Sequence, residues 1–136
     1  MGSWLDFSVG MRLLLDTHAL VWAMAKSQLL SSRAAKLIED RANVVLVSAV
    51  SAYEIEYKRG RDPILSRLPV DLEEAVGRLG FQWLDLNPTH AVAAGRLPRL
   101  HGDPFDRMLA AQALVENATL LTRDPSVAAF GPVVAW

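Results

Sequence analysis

Met11-Arg12-Leu13-Leu14-Leu15-Asp16-Thr17-His18-Ala19-Leu20-Val21-Trp22-Ala23-Met24-Ala25 is a short apolar run that stops at an acid and resumes as a helix-compatible pattern. A run of this length suits a buried strand, so the chain opens as strand, turn and helix. Ser31-Ser32 followed by Ala34, Ala35, Leu37 and Ile38 predicts a capped amphipathic helix. Val44-Val45-Leu46-Val47 then predicts a β-branched buried strand and completes one βαβ unit.

The alternation continues outward from that unit. Ser48 or Ser51 caps a helix holding Tyr53, Glu54, Ile55 and Tyr57, which Gly60 and Pro63 break. Asp71 opens a helix that ends at Gly80, residues 81–86 return as a strand, and residues 89–97 form a short helix. Asp103-Pro104 starts a helix reaching about Asn117, and residues 119–122 form a strand. Asp124-Pro125 starts a turn or short helix, and Val133-Val134 is the last edge strand. The expected fold class is therefore α/β, with a central parallel sheet of about five strands covered by helices on both faces. The Gly60–Pro69 stretch, rich in Arg and Pro, is the expected mobile loop.

A length of 136 residues with 51% hydrophobic and 21% charged positions fits one domain with a proper core. The net charge of -1 gives no global basic field, so a polyanion must be held by a local patch or through bound cations. The absence of cysteine excludes disulfides and thiolate zinc sites and suits a reducing compartment, with cytoplasm as the default. No signal-peptide pattern or membrane-length apolar run is visible, so no membrane association is expected.

Four acids occupy informative places. Asp16 follows the first strand, Glu54 lies on the helix after Val44–Val47, Asp106 lies in the first turn of the helix opened by Asp103-Pro104, and Asp124 follows the strand at 119–122. In an open parallel sheet the carboxyl ends of the strands share one edge, where ligands bind, so these acids can converge. Gathered carboxylates repel one another unless they are protonated or neutralised by a cation. An all-oxygen donor set favours Mg2+, with Mn2+ as the alternative, over zinc. Each acid also has a structural reading, because Asp is a good N-cap and Ser51-Ala52-Tyr53-Glu54 matches a capping box.

Leu14-Leu15-Asp16-Thr17-His18-Ala19-Leu20-Val21-Trp22, Ser48-Ala49-Val50-Ser51-Ala52-Tyr53-Glu54-Ile55, Asp103-Pro104-Phe105-Asp106-Arg107-Met108-Leu109-Ala110-Ala111-Gln112-Ala113 and Leu121-Thr122-Arg123-Asp124 resemble, in order and spacing, the signature blocks of VapC-type PIN-domain toxins. The resemblance runs from Met11 to Trp136, so residues 1–10 are read as an N-terminal extension and 11–136 as a PIN domain. It implies a three-layer α/β/α sandwich and a Mg2+-dependent endoribonuclease, the toxin of a VapBC-type toxin–antitoxin module. By analogy Asp16, Glu54, Asp106 and Asp124 are the catalytic acids. Asp16 and Asp106 are the metal ligands, and Glu54 and Asp124 act through water. Asp103 is read first as a helix cap and Glu56 as a solvated neighbour of Glu54. Thr17 and Thr122 are candidates to support a carboxylate or a metal water, with a turn or cap the commoner role; His18 and His101 are candidates to touch RNA or the reacting phosphate, with packing or hydrogen bonding the commoner role, and stay outside the catalytic set.

RNA requires positive charge beside such a pocket. Lys58, Arg59, Arg61, Arg67, Arg107 and Arg123 are candidates, although a solvated face or an ion pair with the acids is the commoner role of each. The resemblance also implies a homodimer and a small VapB-type antitoxin across a groove. Leu20, Trp22, Leu29, Leu30, Tyr53 and Tyr57 are candidates to line it, with core packing the commoner role at helical spacing. A receiver-like signalling module needs a lysine after a late strand, and the last lysine is Lys58. A catalytically silent PIN-like binding module and a metal-dependent DNA nuclease or phosphatase remain as alternatives.

Overall fold

The protein is described by a computed structural model covering residues 10–100 and 102–136. All of the expected extension except Gly10 lies outside the described residues, as does His101. Among the described residues, five strands form one all-parallel sheet: β1 (Arg12–Leu15), β2 (Val44–Ser48), β3 (Gln82–Leu84), β4 (Thr119–Leu121) and β5 (Val134–Ala135). Their spatial order is β3-β2-β1-β4-β5. The helices are α1 (Thr17–Ala25), α2 (Ser32–Glu39), α3 (Ala49–Lys58), α4 (Pro63–Ser66), α5 (Leu72–Arg78), α6 (Pro88–Arg96) and α7 (Pro104–Val115), with short 3-10 turns at Ser27–Leu29 and Pro125–Phe130. The expected α/β class with five parallel strands is the one observed.

Successive strand side chains point to opposite faces. Leu13 and Leu15 therefore enter one core with Val45, Val47 and Leu121, while Leu14 enters the other with Leu46 and Leu120. All three leucines of β1 are fully buried, which is why the strand reads as continuous rather than alternating. The first core takes Leu20 from α1, Ala34 from α2, Ile55 from α3, Leu65 from α4 and Val76 from α5. The second takes Leu109, Ala110 and Ala113 from α7 and Val127 and Phe130 from the last 3-10 turn. This division follows from handed crossovers: the chain moves outward from β1 to β3 along one face and must return over the other to reach β4. The direction reverses between β1 and β4, and their carboxyl ends flank the resulting crevice.

Several boundaries differ from expectation for physical reasons. The expected strand at 81–86 contracts to β3, which among the described residues is an edge strand paired with β2 alone. The final strand is Val134–Ala135, shifted one residue because Leu121 pairs with Ala135. Ser48, not Ser51, caps α3: its Oγ accepts from Val50 N at 2.9 Å. Glu54 therefore lies mid-helix and is not a capping-box acid. Residues 60–69, expected as a loop, include α4, and Leu65 and Leu68 are buried. The Arg59 guanidinium ties this segment down by donating to the carbonyls of Leu65, Leu68 and Pro69 at 3.1, 2.8 and 3.0 Å. A basic residue read as a contact for RNA is thus used to satisfy buried backbone.

A polar network joins the helices on the second face. Ser48 Oγ donates to Gln112 Oε1 at 2.5 Å, and Gln112 Nε2 donates to Asp85 O at 3.2 Å and His90 Nδ1 at 3.4 Å. The Asn87 amide also donates to His90 Nδ1, at 3.2 Å. Two donors at Nδ1 fix it as the acceptor, so Nε2 carries the hydrogen and donates to Glu116 Oε2 at 2.9 Å. Arg12 meets the other Glu116 oxygen at 3.4 Å.

The hydrogen bond from His90, with help from Arg12, holds the Glu116 carboxyl below its ordinary value of 4.5. A depressed carboxyl stabilises the fold above its unfolded value, and that contribution is lost as pH falls through the folded one. Wild-type protein is therefore expected to lose more stability than Glu116→Gln on acidification below about pH 5. Urea unfolding at stepped pH checks this, and parallel stability profiles for the two proteins would refute the linkage.

Candidate active site

Asp16 follows the last residue of β1, and its amide donates to Leu121 O of β4 at 3.1 Å. This contact places its side chain at the crevice between the two strands. Its Oδ1 caps α1 by accepting from Ala19 N at 2.7 Å. Burial pushes its carboxyl above the usual range and the charge of Glu54 adds to the lift, while hydrogen bonds from Thr122 and the Ala19 amide oppose it. Thr122 Oγ1 also accepts from Asp124 N at 3.1 Å. One hydroxyl thereby couples the acid after β1 to the acid after β4. Thr122 thus meets a carboxylate, as anticipated, whereas Thr17 bonds to Ser51 Oγ at 3.0 Å.

Asp124 is exposed and caps the following 3-10 turn, accepting from Ser126 N and Ser126 Oγ at 2.9 and 2.7 Å. A cleft of about 450 Å3 is lined by Asp16, His18, Trp22, Arg123, Asp124 and Pro125. His18 is exposed and tilted against Trp22 at 5.7 Å, and the Arg123 guanidinium lies over the Trp22 ring at 5.7 Å. His18 and Trp22 also border a second recess containing Glu54, Lys58 and Asp62.

Glu54 is buried, at 8% exposure, and receives Lys58 Nζ at 2.6 Å across one helical turn. The Glu54 carboxylate raises the Lys58 ammonium above its ordinary range, and the charges of Asp103 and Asp106 add to the effect. Lys58 therefore pairs with Glu54 and also feels the charges of two acids at the start of α7. Asp103 caps α7 as expected, with Oδ1 accepting from Phe105 N and Asp106 N at 2.9 and 3.3 Å. Asp106 occupies the first turn of α7, where the helix dipole favours a negative charge. Glu56 is exposed and paired with Arg59 at 2.8 Å, the solvated role expected of it.

Among the described residues, no three Asp, Glu or His side chains meet closely enough to hold a metal ion. The acids instead form two linked groups: Asp16 with Asp124 over the β1–β4 crevice, and Glu54 with Asp103 and Asp106 around Lys58. The Asp16–Glu54 interaction connects them. A hollow of about 590 Å3 lies elsewhere, between α2 and the end of α5, and contains none of these acids; its own are Glu39 and Asp40. Size alone does not identify the site; the convergence of strand ends does.

Three features were not anticipated. Lys58 serves as the internal counter-ion of Glu54, a role signalled by the i, i+4 spacing. Arg107 donates to the carbonyls of Ala94, Leu97 and Pro98 at 2.9, 2.9 and 2.8 Å and so completes the end of α6 instead of pairing with an acid. The Ser48–Gln112–His90 chain had no local signal, because its members are 64 and 22 residues apart along the sequence. Among the groove candidates, Leu20 is fully buried core, whereas Tyr53 and Tyr57 are exposed by 61% and 59%.

The model of the PIN domain family matches residues 13–131. Ribonuclease VapC22 of Mycobacterium tuberculosis is 32% identical over 132 residues, covering 90% of this chain and 97% of that protein. The fold resembles that of VapBC2 from Rickettsia felis bound to a DNA fragment from their promoter. The TM-score is 0.71 at 20% identity, over 93% of this chain and 99% of that one. It also resembles FitAcB from Neisseria gonorrhoeae, with a TM-score of 0.65 at 21% identity over 90% and 95% of the respective chains. The family match over most of the chain, the relative aligned nearly end to end and the parallel β3-β2-β1-β4-β5 sheet agree: the chain belongs to the PIN-domain family, among its VapC-type members.

Proposed function

We propose that this protein is a divalent-metal-dependent endoribonuclease and the toxin of a VapBC-type toxin–antitoxin pair, acting in the cytoplasm. The observation that carries the reading is that Asp16 and Asp124 line one cleft beside the carboxyl ends of β1 and β4, with the charge of Glu54 acting on Asp16. Burial, with a small contribution from the charge of Glu54, raises the Asp16 carboxyl, and a bound cation would relieve the cost of ionising it. The available donors are oxygens, which suits Mg2+ or Mn2+. No helix of the described residues is long and apolar enough to cross a membrane.

In this reading Asp16 and Asp106 would hold the metal. A bound divalent ion supplies Lewis acidity toward the phosphodiester and acidifies the attacking water. Thr122 and the Ala19 amide keep Asp16 oriented. Glu54 and Asp124 complete the pocket and orient or deprotonate the water. Its oxygen bonds to phosphorus, one P–O ester bond breaks, and the leaving oxygen takes up a proton. Likeness to VapBC structures supports a VapB-type antitoxin as partner; a homodimer is what the family resemblance implies.

Antitoxin-free protein is expected to cleave a mixed RNA pool with Mg2+, to stop in EDTA, and to resume when Mg2+ or Mn2+ is restored. Cleavage persisting in EDTA overturns the metal requirement. Folded protein that cleaves no RNA class supports the silent binding module, and cleavage confined to DNA supports the DNA-nuclease alternative.

A further inference from the structure

Arg123 holds a singular place among the cations of this protein. Of the described residues that line the cleft with Asp16 and Asp124, it is the one permanently cationic side chain. Its guanidinium lies 5.7 Å over the Trp22 ring. Among the described residues it makes no hydrogen bond or ion pair, although two acids share its cleft. Other cations are committed: Lys58 to Glu54, Arg59 to Glu56 and three carbonyls, and Arg107 to the carbonyls that end α6.

Both ends of the Arg123 side chain are held. Its backbone is fixed between Thr122, whose amide donates to Ala135 O at 3.0 Å, and Asp124, whose amide donates to the buried Thr122 hydroxyl at 3.1 Å. At the other end Trp22 is half-buried, packs against the first core and meets Trp136 edge-to-face at 5.8 Å, so the surface under the guanidinium is rigid. A stacked guanidinium keeps its planar N–H fork pre-organised, and less entropy is lost when the fork binds. At an exposed site the contact with Trp22 stabilises the fold only modestly, so folding does not account for leaving the donors open.

We propose that Arg123 is a catalytic residue that grips the phosphate under attack, taking two of its oxygens with the N–H fork. The inference rests on the ribonuclease reading and adds to it a cation supplied by the chain itself. Acids and an open guanidinium in one cleft suit opposite charges: the acids a cation, the guanidinium a phosphodiester. A guanidinium stays protonated and moves no proton, so it acts on the charge that builds on the non-bridging oxygens as the water oxygen bonds to phosphorus. The carboxylate of an acidic protein partner fits the same fork, but the cleft sets the bound anion beside Asp16, on which hydrolysis is proposed to depend.

The test measures cleavage of a mixed RNA pool in Mg2+ at saturating RNA and, separately, binding of a fluorescein-labelled RNA oligonucleotide to metal-free protein in EDTA at stepped salt. Arg123→Ala is expected to cleave roughly a hundredfold more slowly. Its binding is expected to depend on salt less steeply, by about one counterion. Arg123→Lys is expected to recover the salt dependence but only part of the rate, because a point charge lacks the fork. Guanidinium chloride below denaturing concentration is expected to raise the rate of Arg123→Ala beyond equal NaCl, and to leave Asp16→Asn unchanged. Arg123 is exposed, so the variants are expected to melt with the parent.

Arg123→Ala that cleaves at the parent's rate overturns the inference and assigns the guanidinium to another partner. Slower cleavage with a matching fall in melting temperature and no response to guanidinium also overturns it, assigning Arg123 to the packing of Trp22. Metal-dependent cleavage that ignores Arg123 defeats this inference alone, whereas a parent protein that neither binds nor cleaves RNA defeats the ribonuclease reading beneath it.

Discussion

Asp16→Asn is expected to lower metal-dependent RNA cleavage by about a hundredfold or more, while leaving the metal-free protein as stable as wild type or more so. Both halves follow from the position of this residue at the strand-to-helix turn. Asparagine is nearly the same shape and is itself a strong N-cap, so the hydrogen bond from Ala19 N at 2.7 Å can be kept. The lost negative charge removes the anionic oxygen proposed to hold the metal. The same charge is unfavourable in the metal-free fold, since burial raises the Asp16 carboxyl above its ordinary 3.8.

The sign of the stability effect follows directly. A carboxyl raised in the folded state binds protons more readily there than in the unfolded chain, so stability falls as pH rises from the unfolded value through the folded one. At neutral pH the ionised form is under a burial penalty that asparagine does not carry. Thermal melts in EDTA and RNA cleavage in Mg2+ read the two effects separately. A variant that folds and cleaves like wild type removes Asp16 from the proposed mechanism, and one that fails to fold shows that the charge is structural.

Gln112→Leu is expected to destabilise the protein by about 3 kcal/mol, because two or three buried polar groups lose a partner at roughly 1–3 kcal/mol each before relaxation. Ser48 and His90 are fully buried, so water cannot readily replace the amide. Leucine satisfies neither the Ser48 hydroxyl nor the Asp85 carbonyl nor His90 Nδ1. For a domain of this size the loss corresponds to a Tm lower by roughly 10 °C. The functional consequence comes from geometry. Ser48 caps α3, which carries Glu54, and Gln112 lies on α7, which carries Asp106.

The Ser48–Gln112 bond is therefore a strut between two acid-bearing helices. Cleavage by Gln112→Leu is expected to decline even well below its melting temperature, with the loss appearing in kcat more than in KM. A double-mutant cycle with Ser48→Ala measures the strut itself: the double variant is expected to be less damaged than the sum of the singles. Additive losses would show that the two residues act independently.

The sequence alone determined the layer order and the location of the acids. Leu13, Leu14 and Leu15 in succession demand burial on both sides, which a helix-covered parallel sheet provides, and the matched family segments place Asp16, Glu54, Asp106 and Asp124 on elements in the order observed. Local rules also served where the chemistry was local, as in the Ser31, Asp71 and Asp103 caps.

Tertiary structure decided how the polar groups are used. Whether Arg59 and Arg107 meet RNA, an acid or a carbonyl depends on where distant backbone ends, and both turn to carbonyls left open by α4, α6 and the loops that follow them. Helical spacing suggested core for Tyr53 and Tyr57, but the face they share points away from both sides of the sheet. The spacing of a motif fixes which side chains share a face; only packing fixes whether that face meets the core, another helix or water.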